Sequence, residues 1–164
     1  MPERLWAPWR LEYIERADDQ EGCVFCDAFA TSDESGEALV VHRGRLAFVL
    51  LNRFPYTSGH LMVAPVRHVG DYGDLADDEA LEVHGLTRTA LAVLGAQYAP
   101  HGYNVGWNLG RAAGAGVLDH IHLHIVPRWG GDTNFMPVLA DIRVIPEALA
   151  ETRRRLAAAW PGSD

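Results

Sequence analysis

The chain has 164 residues, 48% of them apolar and 22% charged, enough to fill the core of one domain and unlike a disordered chain. Its formal charge of −8 at pH 7 argues against a sequence-independent grip on nucleic acid, although local groups can still hold a small phosphate ligand. No apolar run approaches the roughly 18 residues of a membrane span, and Met1 to Trp6 lacks the basic-then-apolar pattern of a secretory signal, so the expected address is cytoplasmic, with no membrane contact.

In chain order, the first 22 residues form an aromatic arm around Leu5-Trp6-Ala7-Pro8-Trp9-Arg10-Leu11-Glu12-Tyr13-Ile14. It is expected to pack on the body of the protein or on a second subunit. Cys23 and Cys26 follow, between polar stretches, Arg16 to Gly22 and Thr31 to Glu37, that read as loops. A CxxC pair in a reducing compartment points to metal binding or redox chemistry and away from a structural disulfide. A thioredoxin-like site would need the pair to open a helix after a strand in a βαβ unit, which the pattern lacks. A zinc site would need two more ligands, and His68 and His120 are the candidates; two buried free thiols are the other reading.

Three apolar, β-branched stretches come next, Leu39 to His42, Leu46 to Leu51 and His60 to Val66, with connections short enough for an antiparallel meander. From Leu75 to Ala99 the apolar residues recur at helical spacing, with Asp74 or Asp77 as the expected cap and Pro100 as the stop. Tyr103 to Asn108 and Leu118 to Val126 read as two more strands around the glycine-rich link Gly110 to Gly116. A last helix is expected to start at Pro146 and run to about Ala159, with Arg153, Arg154 and Arg155 at a solvated end. The expected fold class is therefore α+β: an antiparallel sheet of about five strands, one long helix and a C-terminal helix.

Within Asp119-His120-Ile121-His122-Leu123-His124-Ile125-Val126, histidine and aliphatic residues alternate. A period of two puts His120, His122 and His124 on one face of a strand. Two chemistries use such a row. Imidazoles can bind a catalytic metal, but that needs a further ligand, and no histidine follows His124. Alternatively, one imidazole attacks phosphorus while its neighbours orient the site and handle protons.

The run His120-Ile-His122-Leu-His124-Ile-Val126-Pro-Arg128 resembles the histidine triad (HIT) superfamily of nucleotide hydrolases and transferases. Asn52-Arg-Phe-Pro-Tyr-Thr-Ser-Gly59-His60 is similar to the family's Asn-x-x-Pro-x-x-x-Gly-His segment, and Asn108-Leu-Gly110 with Ala113-Gly114 to its Asn-x-Gly and Ala-Gly segment. The resemblance implies one HIT domain over residues 1–164, with the arm at 1–22 and a C-terminal extension at 137–164. It implies that His122 attacks the α-phosphorus of a nucleotide and forms a nucleotidyl-histidine. His124 then lies near the phosphate and leaving group, where an imidazolium could stabilise charge or supply a proton, and His120 orients the site through its backbone carbonyl. Nucleotide contacts carry over to Asn52 (ribose), Asn108 (phosphate), Gly114 and Gly116, and His60 is expected behind them.

The arm and Pro127 to Met136 are similar to a bacterial HIT branch related to diadenosine tetraphosphate phosphorylases. The branch implies phosphorolysis of diadenosine tetraphosphate to ADP and ATP. Many HIT hydrolases have glutamine where this chain has Gly116, and the small residues there could expose backbone N–H groups to an inorganic phosphate acceptor. The alternatives are a dinucleoside polyphosphate hydrolase releasing AMP and a nucleotide-sensing module without chemistry. The resemblance also implies a structural Zn²⁺ on Cys23, Cys26, His68 and His120, no organic cofactor, and a homodimer formed through the long helix and its neighbouring strand.

Overall fold

The computed structural model describes residues 22–32, 39–132 and 147–162. The aromatic arm and Pro146 lie outside the described residues. Strands β1 (Val40–Arg43), β2 (Ala47–Leu51), β3 (Leu61–Pro65), β4 (Gly102–Trp107) and β5 (Leu123–Arg128) form one antiparallel sheet in the order β1-β2-β3-β5-β4. Three α-helices accompany it among the described residues: α1 (Val24–Ala30), α2 (Asp77–Tyr98) and α3 (Leu149–Ala158). The fold class is α+β, as expected.

The sheet is covered on both faces at its centre, which is why β2 and β3 are continuous apolar runs buried at every position. On one face Val49, Leu51, Leu61, Val63, Leu123 and Ile125 pack against α2 and α3. Val83, Thr87, Ala90 and Leu94 recur at helical spacing to form the buried stripe of α2, and Thr87 hides its hydroxyl by donating to the Val83 carbonyl at 2.7 Å. On the other face Phe48, Leu50, Met62 and Ala64 pack with Phe25 of α1.

Between the flanking polar stretches the cysteine pair opens a short helix, with Cys23 at the N-cap position of α1 and Cys26 in its first turn. Three local expectations need correction. Helix α2 is capped neither by Asp74 nor by Asp77; Glu79 accepts the N–H of Ala76 at 2.9 Å and grips Arg67, whose Nε and Nη2 lie 2.9 and 2.7 Å from its two oxygens. Arg67 thereby ties the helix start to the end of β3 and holds the buried Glu79 carboxyl below its ordinary range. Strand β5 begins at Leu123 and not at Leu118, so only His124 of the triad is within regular strand. Pairing with β3 stops at Val63 and Leu123, and Ile121 donates instead to the Val69 carbonyl at 2.7 Å. Finally, α3 starts at Leu149 after Ala148. Its arginines are not merely solvated: Arg153 donates to the Val40 carbonyl at 2.9 Å and Arg155 meets Glu147 at 2.8 Å.

The loop between β2 and β3 delivers His60 to the sheet. Gly59 makes that turn with φ +75, and a Cβ there would lie 2.9 Å from Leu94 Cδ2, so both conformation and space call for glycine. No helix among the described residues is long and apolar enough to cross a membrane.

Candidate functional site

The three triad imidazoles follow one another along the segment that becomes β5. His120 is fully buried, His122 is nearly so at 7% exposure, and His124 is half-buried. His124 pairs with Met62 and with Gly106, placing it on the α1 side of the sheet. The rings of His122 and His124 are 4.8 Å apart at 70°.

The hydrogen bonds assign protons. Nδ1 of His122 lies 2.9 Å from the His120 carbonyl, and Nε2 of His120 lies 2.8 Å from that of Pro65. A carbonyl only accepts, so each of these nitrogens carries a hydrogen. The neutral His122 ring therefore keeps its lone pair on Nε2, while that of His120 is on Nδ1. Burial pushes the His122 imidazole below its ordinary value against the smaller opposing effect of the His120 carbonyl. An uncharged ring with a bare Nε2 is the form that can act as a nucleophile.

Phe25 had no functional assignment from sequence, yet its ring centroid lies 4.5 Å from His122 and 5.1 Å from His120. A single phenylalanine inside CxxC carries no recognisable signal until α1 is placed on the sheet. His60 was expected behind the site and is fully buried there, with Nε2 3.0 Å from His124 Nδ1.

The expected nucleotide contacts are spread around the sheet ends. Asn52 follows β2, and its Oδ1 accepts the Phe54 N–H at 2.9 Å, leaving the amide NH₂ for other partners. Asn108 is one residue beyond the pair Trp107 and Leu123, level with His122. Gly110 and Gly114, at φ +82 and +90, bracket a tight turn, and Gly116 follows. In that turn the N–H groups of Ala113 and Ala115 donate to the Gly110 carbonyl and that of Gly114 to Arg111. These three amides therefore bond within the loop itself.

Cys23, Cys26, His68 and His120 converge, with their ligand atoms all within 4.8 Å of one another. Cys23 Sγ is 3.2 Å and Cys26 Sγ 3.6 Å from His120 Nδ1, and Cys26 Sγ is 3.4 Å from His68 Nδ1. Zinc–sulfur and zinc–nitrogen lengths of about 2.3 and 2.0–2.1 Å at a tetrahedral angle put S···N edges near ~3.5 Å, the size of these three separations, so the group could hold a metal ion. The protonation agrees, because His120 donates from Nε2 to Pro65 and turns its lone pair on Nδ1 toward the sulfurs. Asp119 stands 3.7 Å from Nε2 of His68.

Residues 34–131 match the HIT domain family model. The chain is 43% identical over 166 aligned positions to a Mycobacterium tuberculosis protein named AP-4-A phosphorylase, covering 96% of this chain and 84% of that one. It is 32% identical over 106 positions to the adenosine 5'-monophosphoramidase hnt1 of Schizosaccharomyces pombe, covering 65% of this chain and 74% of that one. Among solved structures, a zinc-bound histidine triad family protein from Mycobacterium smegmatis superposes with a TM-score of 0.66 at 27% identity, covering 84% of this chain and 92% of that one. With the family model spanning more than half of the residues and the triad leading into β5 of the five-stranded sheet, the chain belongs to the HIT family.

Proposed function

We propose that this enzyme cleaves the phosphoanhydride of a dinucleoside polyphosphate through a nucleotidyl-histidine on His122, and that inorganic phosphate is the second acceptor. The observation that carries this reading is the bond from His122 Nδ1 to the His120 carbonyl, which leaves Nε2 as the free base of a buried ring. In the first step Nε2 forms a bond to the α-phosphorus, the bridging P–O bond breaks, and the leaving nucleotide departs with the electron pair. In the second, a phosphate oxygen attacks the same phosphorus and the N–P bond breaks, returning the pair to Nε2. Diadenosine tetraphosphate and phosphate would give ATP and then ADP. Asn52 and Asn108 are assigned to the ribose and phosphate, Gly114 and Gly116 to the phosphate-side loop, and His124 to the phosphate oxygens.

The identity of 43% to AP-4-A phosphorylase supports phosphorolysis. One observation favours water instead, releasing AMP: three amides of the glycine-rich turn are already bonded within it. The deciding experiment is incubation with diadenosine tetraphosphate with and without inorganic phosphate. ADP and ATP formed only with phosphate are expected, whereas AMP at the same rate in both would make the enzyme a hydrolase.

The cysteine and histidine cage is assigned to Zn²⁺. When bound, the ion supplies cross-linking and no open coordination position, because four protein ligands close it. Cys23 and Cys26 anchor α1, and His120 joins that anchor to the segment carrying His122. The proposed assembly is a homodimer through β4 and α2. It is supported by the edge position of β4, by exposed Val105 and Leu81, and by a groove of about 250 Å³ whose lining includes Tyr72, His84, Val105 and Trp107. Light scattering at micromolar concentration should return twice the chain mass. A cytoplasmic location is part of the same reading.

A further inference from the structure

Tyr56, His60 and His124 form a chain of hydrogen bonds with a fixed direction. The backbone N–H of Tyr56 reaches Nδ1 of His60 at 3.1 Å. A peptide nitrogen can only donate, so His60 Nδ1 holds a lone pair and the neutral ring keeps its hydrogen on Nε2. That Nε2 lies 3.0 Å from Nδ1 of His124. His60 is therefore the donor in this bond, His124 Nδ1 the acceptor, and the hydrogen of His124 is on Nε2. His122, donating from Nδ1, has the opposite arrangement.

We propose that His60 is a positioning residue that fixes His124 as the neutral, Nε2-protonated tautomer, so that neighbouring triad rings carry opposite polarity. His122 offers a bare Nε2 and His124 an N–H. Packing holds the relay in place: His60 is fully buried, and the Tyr56 ring lies 4.7 Å from that of His60 and 6.4 Å from that of His124. The relay also opposes a doubly protonated His124. A hydrogen on its Nδ1 would confront the one on His60 Nε2, and His60 cannot move its hydrogen to Nδ1 without confronting the Tyr56 amide. A fixed N–H donor suits phosphate oxygens that stay anionic through both steps. This use of the N–H rests on the nucleotide reading; the tautomer itself does not.

The test is an imidazole ¹⁵N–¹H correlation spectrum of the intact, metal-loaded protein without nucleotide, at pH 7. The expected result is His124 protonated on Nε2 and bare on Nδ1; a hydrogen on Nδ1, or on both nitrogens, overturns the proposal. Two variants separate positioning from packing. His60→Gln keeps an N–H near the His124 ring and is expected to hold the tautomer and most of the turnover. His60→Leu removes it and is expected to mix the tautomers and lower kcat roughly 10²-fold with KM little changed. A folded His60→Leu protein with a single Nε2–H tautomer would reduce His60 to a core residue, and should that variant not fold, the parent spectrum still decides. A parent protein inert toward nucleotides but with the expected spectrum would remove the function and leave the relay intact.

Discussion

His122 donates from Nδ1 to the backbone carbonyl of His120 at 2.9 Å, so one residue of the triad sets which ring nitrogen of the next carries the hydrogen. On the proposed function, replacing His122 with alanine removes the nucleophile without touching the loops assigned to nucleotide binding. Turnover should fall by at least about 10³-fold, while nucleotide affinity measured by calorimetry stays within a few-fold.

The same His120 reaches the cysteine pair through its side chain. Protein purified without added metal should contain about one equivalent of zinc per chain. Cys23→Ser should cost about 4 kcal/mol or more, lowering the thermal midpoint by roughly 8–16 °C, with a smaller loss in kcat. Metal-free protein of full stability would reject the cage.

Gly59 brings the chain past Leu94 into His60. Gly59→Ala should destabilise by about 1–3 kcal/mol from the positive φ alone, with more from the Cβ that would lie 2.9 Å from Leu94 Cδ2. The denaturant midpoint reports the loss; an unchanged midpoint would mean that the loop adjusts freely.

Acid should weaken the fold through its buried imidazoles. Burial holds His42, which is stacked on Trp160 at 4.9 Å, below its ordinary value of 6.5, and His120 and His122 are shifted the same way. In each case the unfolded chain takes up the proton first. Stability is therefore full above 6.5 and falls as the pH drops through 6.5 toward the lower folded values. Unfolding midpoints between pH 7.5 and 5 should decline, and His42→Phe should make the decline shallower. An identical slope in the variant would remove His42 from this account.

Much of this was legible in the residues. The alternation at His120, His122 and His124 marked the candidate site, and apolar runs with short turns marked the sheet. Alternation could not tell where β5 begins, because pairing with β3 ends when Ile121 turns to Val69, a contact set by tertiary structure. Helix α1 was hidden for a different reason: seven residues are too few to display a helical period. Without that helix the approach of Phe25 to His122 could not be read, although the grouping of both cysteines with His68 and His120 was legible. The turn at Gly110 to Gly114 was legible as glycine-rich, but the inward direction of its amides depends on its exact backbone path.

The most direct test of covalent catalysis is peptide mass spectrometry after brief incubation with diadenosine tetraphosphate in the absence of phosphate, quenched in base because a phosphoramidate is acid-labile. A single adenylyl group on the peptide containing His122, released as ADP when phosphate is added before the quench, is the predicted result. Full turnover in the presence of phosphate with an unmodified His122 peptide throughout the time course would contradict the account.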